Sequence, residues 1–291
     1  MSDYLYDPVA TPYVADAVGY DPHNAVWLAA ASSLVYENEK TIRKTLGTWG
    51  FKRFHFLEAN SFTSAAGLGF PMDTQGFACS DGRAVLVAFR GTEPTQILDW
   101  LTNINAVATY APAGLGRTHQ GFTMAFLAVR EQLDAALAEL HDGSLPIWVT
   151  GHSLGGALAT LAAAHLRYIG KLPVQGLYTY GQPRLGDREF SRSLKRALPG
   201  RVVRFANNAD IVPQVPPPGL FLKYRHGERE GRFDHEGRLS LDLSLWLRTR
   251  AALKGPAKAL GTECLEALLD HSMDRYIDLA RRQIVRKLSE P

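Results

Sequence analysis

Ile147-Trp148-Val149-Thr150-Gly151-His152-Ser153-Leu154-Gly155-Gly156-Ala157-Leu158-Ala159 decides the architecture. A short run of strand-forming side chains, Ile147 to Thr150, meets Gly-x-Ser-x-Gly, and an alanine-rich stretch of high helix propensity follows at once. A strand that must turn directly into a helix needs small neighbours, so Gly151 and Gly155 stand where side chains would not fit. Such a turn lifts the Ser153 hydroxyl out at the end of a sheet, and the helix N-terminus beneath it favours negative charge developing there. Five letters alone are a weak signal; the strand before them and the helix after them carry the reading, against a glycine-rich turn with an incidental serine.

Outward from this turn, Val174 to Tyr180 and Val202 to Phe205 are further apolar runs. Helix-like segments such as Phe122 to Leu140 and Ala157 to Tyr168 precede the runs. Strand and helix in alternation predict parallel strands joined by crossover helices. Earlier, Gln75 to Cys79 and Ala84 to Phe89 flank Ser80-Asp81-Gly82-Arg83, whose Asp-Gly supplies the positive φ of a tight hairpin, so the first two strands are expected to be antiparallel neighbours. Ala25 to Glu37 carries Val26, Leu28, Ala29, Ala31, Leu34 and Val35 without a breaker and reads as a helix on the sheet. The expected fold is α/β: a central, mostly parallel sheet with an antiparallel N-terminal hairpin and helices on both faces.

The 291 residues hold no repeat, low-complexity tract or Gly/Ser/Pro linker, so a single domain over 1–291 is expected. With 46% hydrophobic and 21% charged residues the composition is that of a water-soluble globular protein with a substantial core. A formal charge of +3, its Lys and Arg spread along the chain, argues against nucleic acid as a partner. The stretch Arg281 to Leu288 is locally basic, yet Ile277, Ala280, Ile284 and Leu288 recur at helical spacing, so it reads as the end of a C-terminal helix with a solvated face. Cys79 and Cys264 have no metal-type spacing and read as small buried residues. No run approaches the roughly 18 apolar residues of a membrane span, and Met1 to Pro8 has no basic-then-apolar leader. A cytoplasmic protein is the expectation, although signal-independent export or a trimmed chain would leave the same sequence.

A serine hydroxyl is a poor nucleophile at neutral pH and needs a general base that is itself held by a carboxylate. Asp210 fits the acid, because Arg201-Val202-Val203-Arg204-Phe205 reads as a strand and Ala206 to Pro213 as the loop leaving it. Asp187 competes, but it precedes a helix beginning near Arg188, where an Asp is usually a cap. For the base, His271 lies between the apolar segment Leu265 to Leu269 and the final helix, whereas His226 and His235 sit in a polar stretch and read as exposed loop histidines. The tetrahedral intermediate of acyl transfer also needs two donors. Leu154 N–H is the first; Thr92, just past the strand Ala84 to Phe89, is the expected second, with its hydroxyl a further donor, unless Arg90-Gly91-Thr92 is an ordinary turn.

With Phe89-Arg90-Gly91-Thr92, Asp99-Trp100, His119-Gln120-Gly121-Phe122, Gly151 to Gly156, Tyr180-Gly181-Gln182-Pro183-Arg184-Leu185-Gly186 and Asp210-Ile211-Val212-Pro213 in this order, the sequence resembles the class 3 lipases, the fungal-type triacylglycerol lipases. The resemblance runs from about Ala25 to Tyr276. It implies an α/β-hydrolase fold, no cofactor and no metal, a triad of Ser153, Asp210 and His271, and an oxyanion pair of Thr92 and Leu154. Tyr180 to Arg184 would be a buried strand and turn with a structural role only, and His152 a motif residue without a chemical task. In such lipases the segment after the oxyanion residue forms a helical lid. Here, over 95–108, Ile97, Leu98, Trp100, Leu101, Ile104 and Val107 would form its apolar face, with Ile97, Trp100, Leu101 and Ile104 on the substrate. A fixed surface helix would show the same pattern. Leu239 to Leu247 fits strand or helix equally, and the structure of 228–262 stays open.

The expected function is hydrolysis of carboxylic esters of lipids, as a triacylglycerol lipase or carboxylesterase, with transient contact to a lipid interface. Phospholipase and acyltransferase activities use the same constellation. A catalytically silent lipid-binding scaffold would show a replaced triad or oxyanion position, and none is replaced. A metal hydrolase on His226, His235 and Glu228 or Glu236 would need a ligand spacing these residues do not match.

Overall fold

The computed structural model describes residues 13–61, 72–92, 97, 107–216, 224–226, 229–241 and 269–289. Helix α1 spans Pro22–Leu34 and starts where Asp21 accepts a hydrogen bond from Asn24 N–H at 2.9 Å, with proline in the first turn, where its missing N–H costs nothing. It begins three residues before the expected Ala25 and ends before Glu37, because the chain turns at Val35 to Glu37. Apolar on nearly every side, it is buried on nearly every side. A short amphipathic helix, α2 (Glu39–Thr48), follows; Asn38 caps it and only Ile42 and Leu46, one turn apart, are buried.

Strands β1 (Arg53–Ser61), β2 (Met72–Ser80) and β3 (Val85–Phe89) form an antiparallel meander. The expected β2–β3 hairpin is present, with Gly82 at φ +83°, but it is not the start of the sheet. β1 precedes it. Its alternation of Phe54, Phe56 with Arg53, His55 was a strand signal, diluted by charged and polar neighbours because β1 is an edge strand.

A small ribbon of β4 (Ala108–Tyr110) and β5 (Arg117–His119) leads into α3 (Gln120–Leu140). It corrects the C-terminal limit of the expected lid helix: Val107 O accepts Gln120 N–H and Ala108 pairs with His119, so the chain is already extended there. Of the lid residues, Ile97 is helical and buried, while Trp100, Leu101 and Ile104 lie outside the described residues. The alternation then runs β6 (Ile147–His152), α4 (Leu154–Tyr168), β7 (Val174–Tyr180), α5 (Arg188–Ala197) and β8 (Val202–Asn207), followed by β9 (Arg229–Phe233), β10 (Leu239–Leu241) and α6 (Met273–Ser289).

Among the described residues the main sheet has eight strands in the order β1-β2-β3-β6-β7-β8-β9-β10. It is parallel from β3 through β9 and antiparallel at both edges, since β10 folds back on β9. Leu239 to Leu241 is thereby strand; the remainder of the ambiguous segment is outside the described residues. Helices cover both faces, as a sheet buried on both sides requires. One face packs Val85, Val87, Val149 and Leu177 against α3, α4 and α5. The other packs Trp148, Tyr178, Tyr180 and Phe205 against α1 and α6. A side chain such as Phe205 or Leu28, wholly removed from water, contributes about 1.5–3 kcal/mol to holding the layers together. Cys79 is buried, as expected; Cys264 is not among the described residues.

Candidate active site

Parallel register sets the place of the site. Gly151 lies opposite Phe89, His152 opposite Tyr180, and Tyr180 opposite Phe205, so the chain leaves β3, β6, β7 and β8 at one end of the sheet. That end is where ligands approach open α/β sheets.

At the end of β6, Ser153 takes φ 56° and ψ −129°, a conformation costing about 1–3 kcal/mol in a non-glycine residue. Two hydrogen bonds and the helix that follows hold it there. Its N–H donates to Tyr180 O at 2.9 Å, its carbonyl accepts Gly156 N–H at 3.0 Å, and α4 begins at the next residue. The flanking glycines are obligatory: a Cβ on Gly151 would come within 2.2 Å of Gly155 O, and one on Gly155 within 2.2 Å of Phe89 O. Close approach also places the expected oxyanion loop. A Cβ on Gly91 would lie 3.0 Å from Ser153 Cβ and 2.6 Å from His152 O, so the segment carrying Thr92 runs beside Ser153, with Leu154 on its other flank as the first residue of α4.

Asp210 and His271, 61 residues apart, are in contact. His271 Nδ1 lies 3.0 Å from Asp210 Oδ1 and 2.9 Å from Oδ2, and both residues are buried. The carboxylate takes two further donors, Val212 N–H at 2.9 Å on Oδ1 and the Tyr276 hydroxyl at 2.6 Å on Oδ2. Acceptor-only, Asp210 directs His271 to carry its proton on Nδ1, leaving the Nε2 lone pair for another group. Burial and the neighbouring Asp210 charge push the Tyr276 phenol well above its usual range, so it stays a donor. Ser153 Oγ and His271 Nε2 are buried and, among the described residues, neither holds a hydrogen bond, so the serine–histidine bond of a working triad is not closed in this arrangement; such bonds commonly tighten only around substrate.

The loop around this pair is over-determined. Asn207 Nδ2 donates to Asp270 O, Ala209 N–H to Asp270 Oδ2, and Asn207 N–H to the Tyr276 hydroxyl. Gly181, at φ +59°, brings backbone against the same atoms: a Cβ there would sit 2.7 Å from His271 Nδ1 and 2.9 Å from Asp210 Oδ2. Tyr180 to Arg184 therefore does have the structural part expected of it, and Gly181 within it shapes the site. His152 donates from Nε2 to His271 O at 2.7 Å and accepts the Tyr36 hydroxyl on Nδ1 at 3.0 Å.

The competitors fall elsewhere. Asp187 caps α5, accepting Phe190 N–H at 2.9 Å. His235 is exposed beside Glu236. His226, expected to be an exposed loop residue, is instead half-buried and donates to Pro213 O, next to Arg225, which pairs with Gly186. No group of three or more His, Cys, Asp or Glu among the described residues could hold a metal ion. Tyr36, Gly181, Tyr276 and Asp270 were not singled out in the sequence. Their contacts span up to 116 residues, and no local spacing announces them.

Residues 86–220 match the family model "Lipase (class 3)", a span that includes Thr92, Ser153, Leu154 and Asp210 but not His271. The chain is 37% identical over 152 residues to a secreted mono- and diacylglycerol lipase of Fusarium solani, covering 51% of this chain and 43% of that protein. It is 33% identical over 163 residues to the chloroplastic phospholipase A(1) DAD1 of Arabidopsis thaliana, covering 49% and 35%. The chain thus spans less than half the length of these relatives. In fold, it aligns with the crystal structure of a mono- and diacylglycerol lipase from Aspergillus oryzae with a TM-score of 0.66 at 21% identity, over 89% of this chain and 99% of that one. Over residues 86–220 the chain thus matches the class 3 lipase family, and it shares the fold of a mono- and diacylglycerol lipase.

Proposed function

We propose that the protein is a serine hydrolase that cleaves carboxylic esters of lipids through an acyl-enzyme intermediate. The observation that carries this reading is the buried Asp210–His271 pair beside a serine held at φ 56° on a strand-to-helix turn. Ser153 Oγ attacks the ester carbonyl while His271 Nε2 takes its proton, and the imidazolium is stabilised by Asp210. The carbonyl oxygen becomes an oxyanion facing the N–H groups of Leu154 and Thr92, assisted by the N-terminus of α4. Collapse expels the alcohol, protonated by His271. Water, deprotonated by His271, then attacks the acyl group and releases the carboxylic acid with Ser153 restored.

The first test compares wild type with Ser153→Ala on p-nitrophenyl esters of increasing acyl length and on emulsified triacylglycerol. Loss of thousands-fold in kcat supports the assignment; equal rates overturn it. The similarity to a phospholipase A(1) supports a second reading on the same residues, distinguished by release of fatty acid from phosphatidylcholine vesicles. Contact with a lipid surface through 95–106 and a cytoplasmic site of action belong to this proposal as well; no described helix is long and apolar enough to cross a membrane.

A further inference from the structure

Tyr36 lies far from the motifs, just past α1, yet its hydroxyl stands between two of the site's loops. It accepts Gly91 N–H at 3.2 Å and donates to His152 Nδ1 at 3.0 Å. His152 passes the connection on, its Nε2–H donating to the main-chain carbonyl of His271 at 2.7 Å. The order of donors runs one way: Gly91 N–H to Tyr36, Tyr36 O–H to His152, His152 N–H to His271. That direction fixes the His152 tautomer, since the alternative would set an imidazole lone pair against the His271 carbonyl oxygen. Successive hydrogen bonds aligned in this way also polarise and strengthen one another.

We propose that Tyr36 and His152 are positioning residues that lock the oxyanion loop, the nucleophile and the catalytic histidine into one register. This rests on the ester-hydrolase reading of Ser153, Asp210 and His271. Three things are joined through one short chain of atoms. Gly91 precedes Thr92 and so sets where its donors point; His152 is bonded to Ser153; and the carbonyl His152 holds belongs to His271 itself. None of the three segments is near another in sequence: two follow the ends of β3 and β6, and the third precedes α6. Reaction requires them within a few tenths of an ångström of one another, because a misplacement of about 1 Å costs on the order of 100-fold in rate.

The chemistry of His152 suits the role. Its ring centroid is 4.4 Å from that of His271, which becomes an imidazolium during each half-reaction. A second cation at that distance would oppose the step. Burial, and then the His271 charge, hold the His152 imidazole well below its usual range, so it remains neutral and can keep both hydrogen bonds while His271 cycles. A residue held neutral, with both nitrogens engaged by Tyr36 and the His271 carbonyl, is not a general base; it is a brace.

The test is Tyr36→Phe, which keeps the ring and removes both hydroxyl bonds, alongside His152→Gln, whose amide keeps a donor at the Nε2 position. In p-nitrophenyl butyrate hydrolysis, with competent Ser153 counted by a p-nitrophenyl phosphonate, Tyr36→Phe is expected to lower kcat about 10- to 100-fold with KM changed less than about twofold. His152→Ala should lower it at least as much and His152→Gln should recover part of the loss. A kcat per competent serine equal to wild type in Tyr36→Phe overturns the proposal. Nitrogen-15 NMR of histidine-labelled wild type judges it without any turnover: a neutral Nε2–H tautomer at His152 that changes in Tyr36→Phe supports it, and a cationic or Nδ1–H ring at neutral pH overturns it. Equal ester hydrolysis by wild type and Ser153→Ala would instead remove the ester-hydrolase reading, leaving the NMR result to speak for the hydrogen-bond chain.

Discussion

The Tyr276 hydroxyl donates to Asp210 Oδ2 at 2.6 Å, the same oxygen that receives His271 Nδ1–H at 2.9 Å. A single carboxylate thus joins α6 to the acid loop after β8. The same phenol oxygen accepts Asn207 N–H at 3.0 Å, so it also fastens the end of β8.

Tyr276→Phe removes a donor to a buried charge and leaves Asn207 N–H without its partner. A hydrogen bond to a charged group contributes about 1.5–3 kcal/mol, so urea unfolding should show a loss of roughly 2–3 kcal/mol. Because Asp210 would then be less firmly held against His271, kcat should fall about tenfold by the same physical argument that links orientation to rate. Wild-type kcat with wild-type stability would show that the bond contributes to neither.

Gly181→Ala should be more damaging than its size suggests. The new methyl would sit 2.7 Å from His271 Cε1 and Nδ1 at a backbone φ of +59°, so the imidazole must move or the strand end must open. Strain of this kind costs about 1–3 kcal/mol, and displacement of the ring should lower kcat/KM by about 100-fold or more. Steady-state kinetics on a short-chain p-nitrophenyl ester and a thermal melt measure the two effects separately.

A structural ion cluster lies behind the acid loop. Arg204, buried on β8, pairs with Glu230 on β9, and Arg232 Nε donates to the other Glu230 oxygen at 2.8 Å. Burial pushes the Glu230 carboxyl up, but the Arg204 and Arg232 charges outweigh it and hold it at about 2, below the usual 4.5. Since the folded value is depressed, the stabilisation is complete above pH 4.5 and is lost as pH falls from 4.5 through about 2. The difference corresponds to about 3 kcal/mol. Glu230→Gln should be less stable than wild type by about that amount at pH 7, and the gap should narrow steadily in urea titrations below pH 4.5; a gap independent of pH would show that the loss is packing alone.

Much of this was written locally in the chain. Gly151-His152-Ser153-Leu154-Gly155 between a strand and a helix determined the turn, because only glycine tolerates backbone within 2.2 Å of the Cβ position. Asp81-Gly82 determined the β2–β3 hairpin through its positive φ, and Asp187 its place as a helix cap. Alternating apolar runs determined the parallel core from β6 to β8. These are short-range effects, each decided within one element.

Contacts between elements were decided only by the tertiary structure. β1 and α2 carry their apolar residues at spacings as weak as Phe54, Phe56 or Ile42, Leu46, and gain identity from what they pack against. His226 was expected in solvent and is half-buried, because its surroundings depend on where β9 adds to the sheet. The braces of the site, Tyr36 on His152, Tyr276 on Asp210 and Gly181 beneath His271, bridge residues far apart in the chain. A hydroxyl acquires such a role from the neighbour that burial assigns to it, and burial is a property of the assembled sheet and helices rather than of any stretch of sequence.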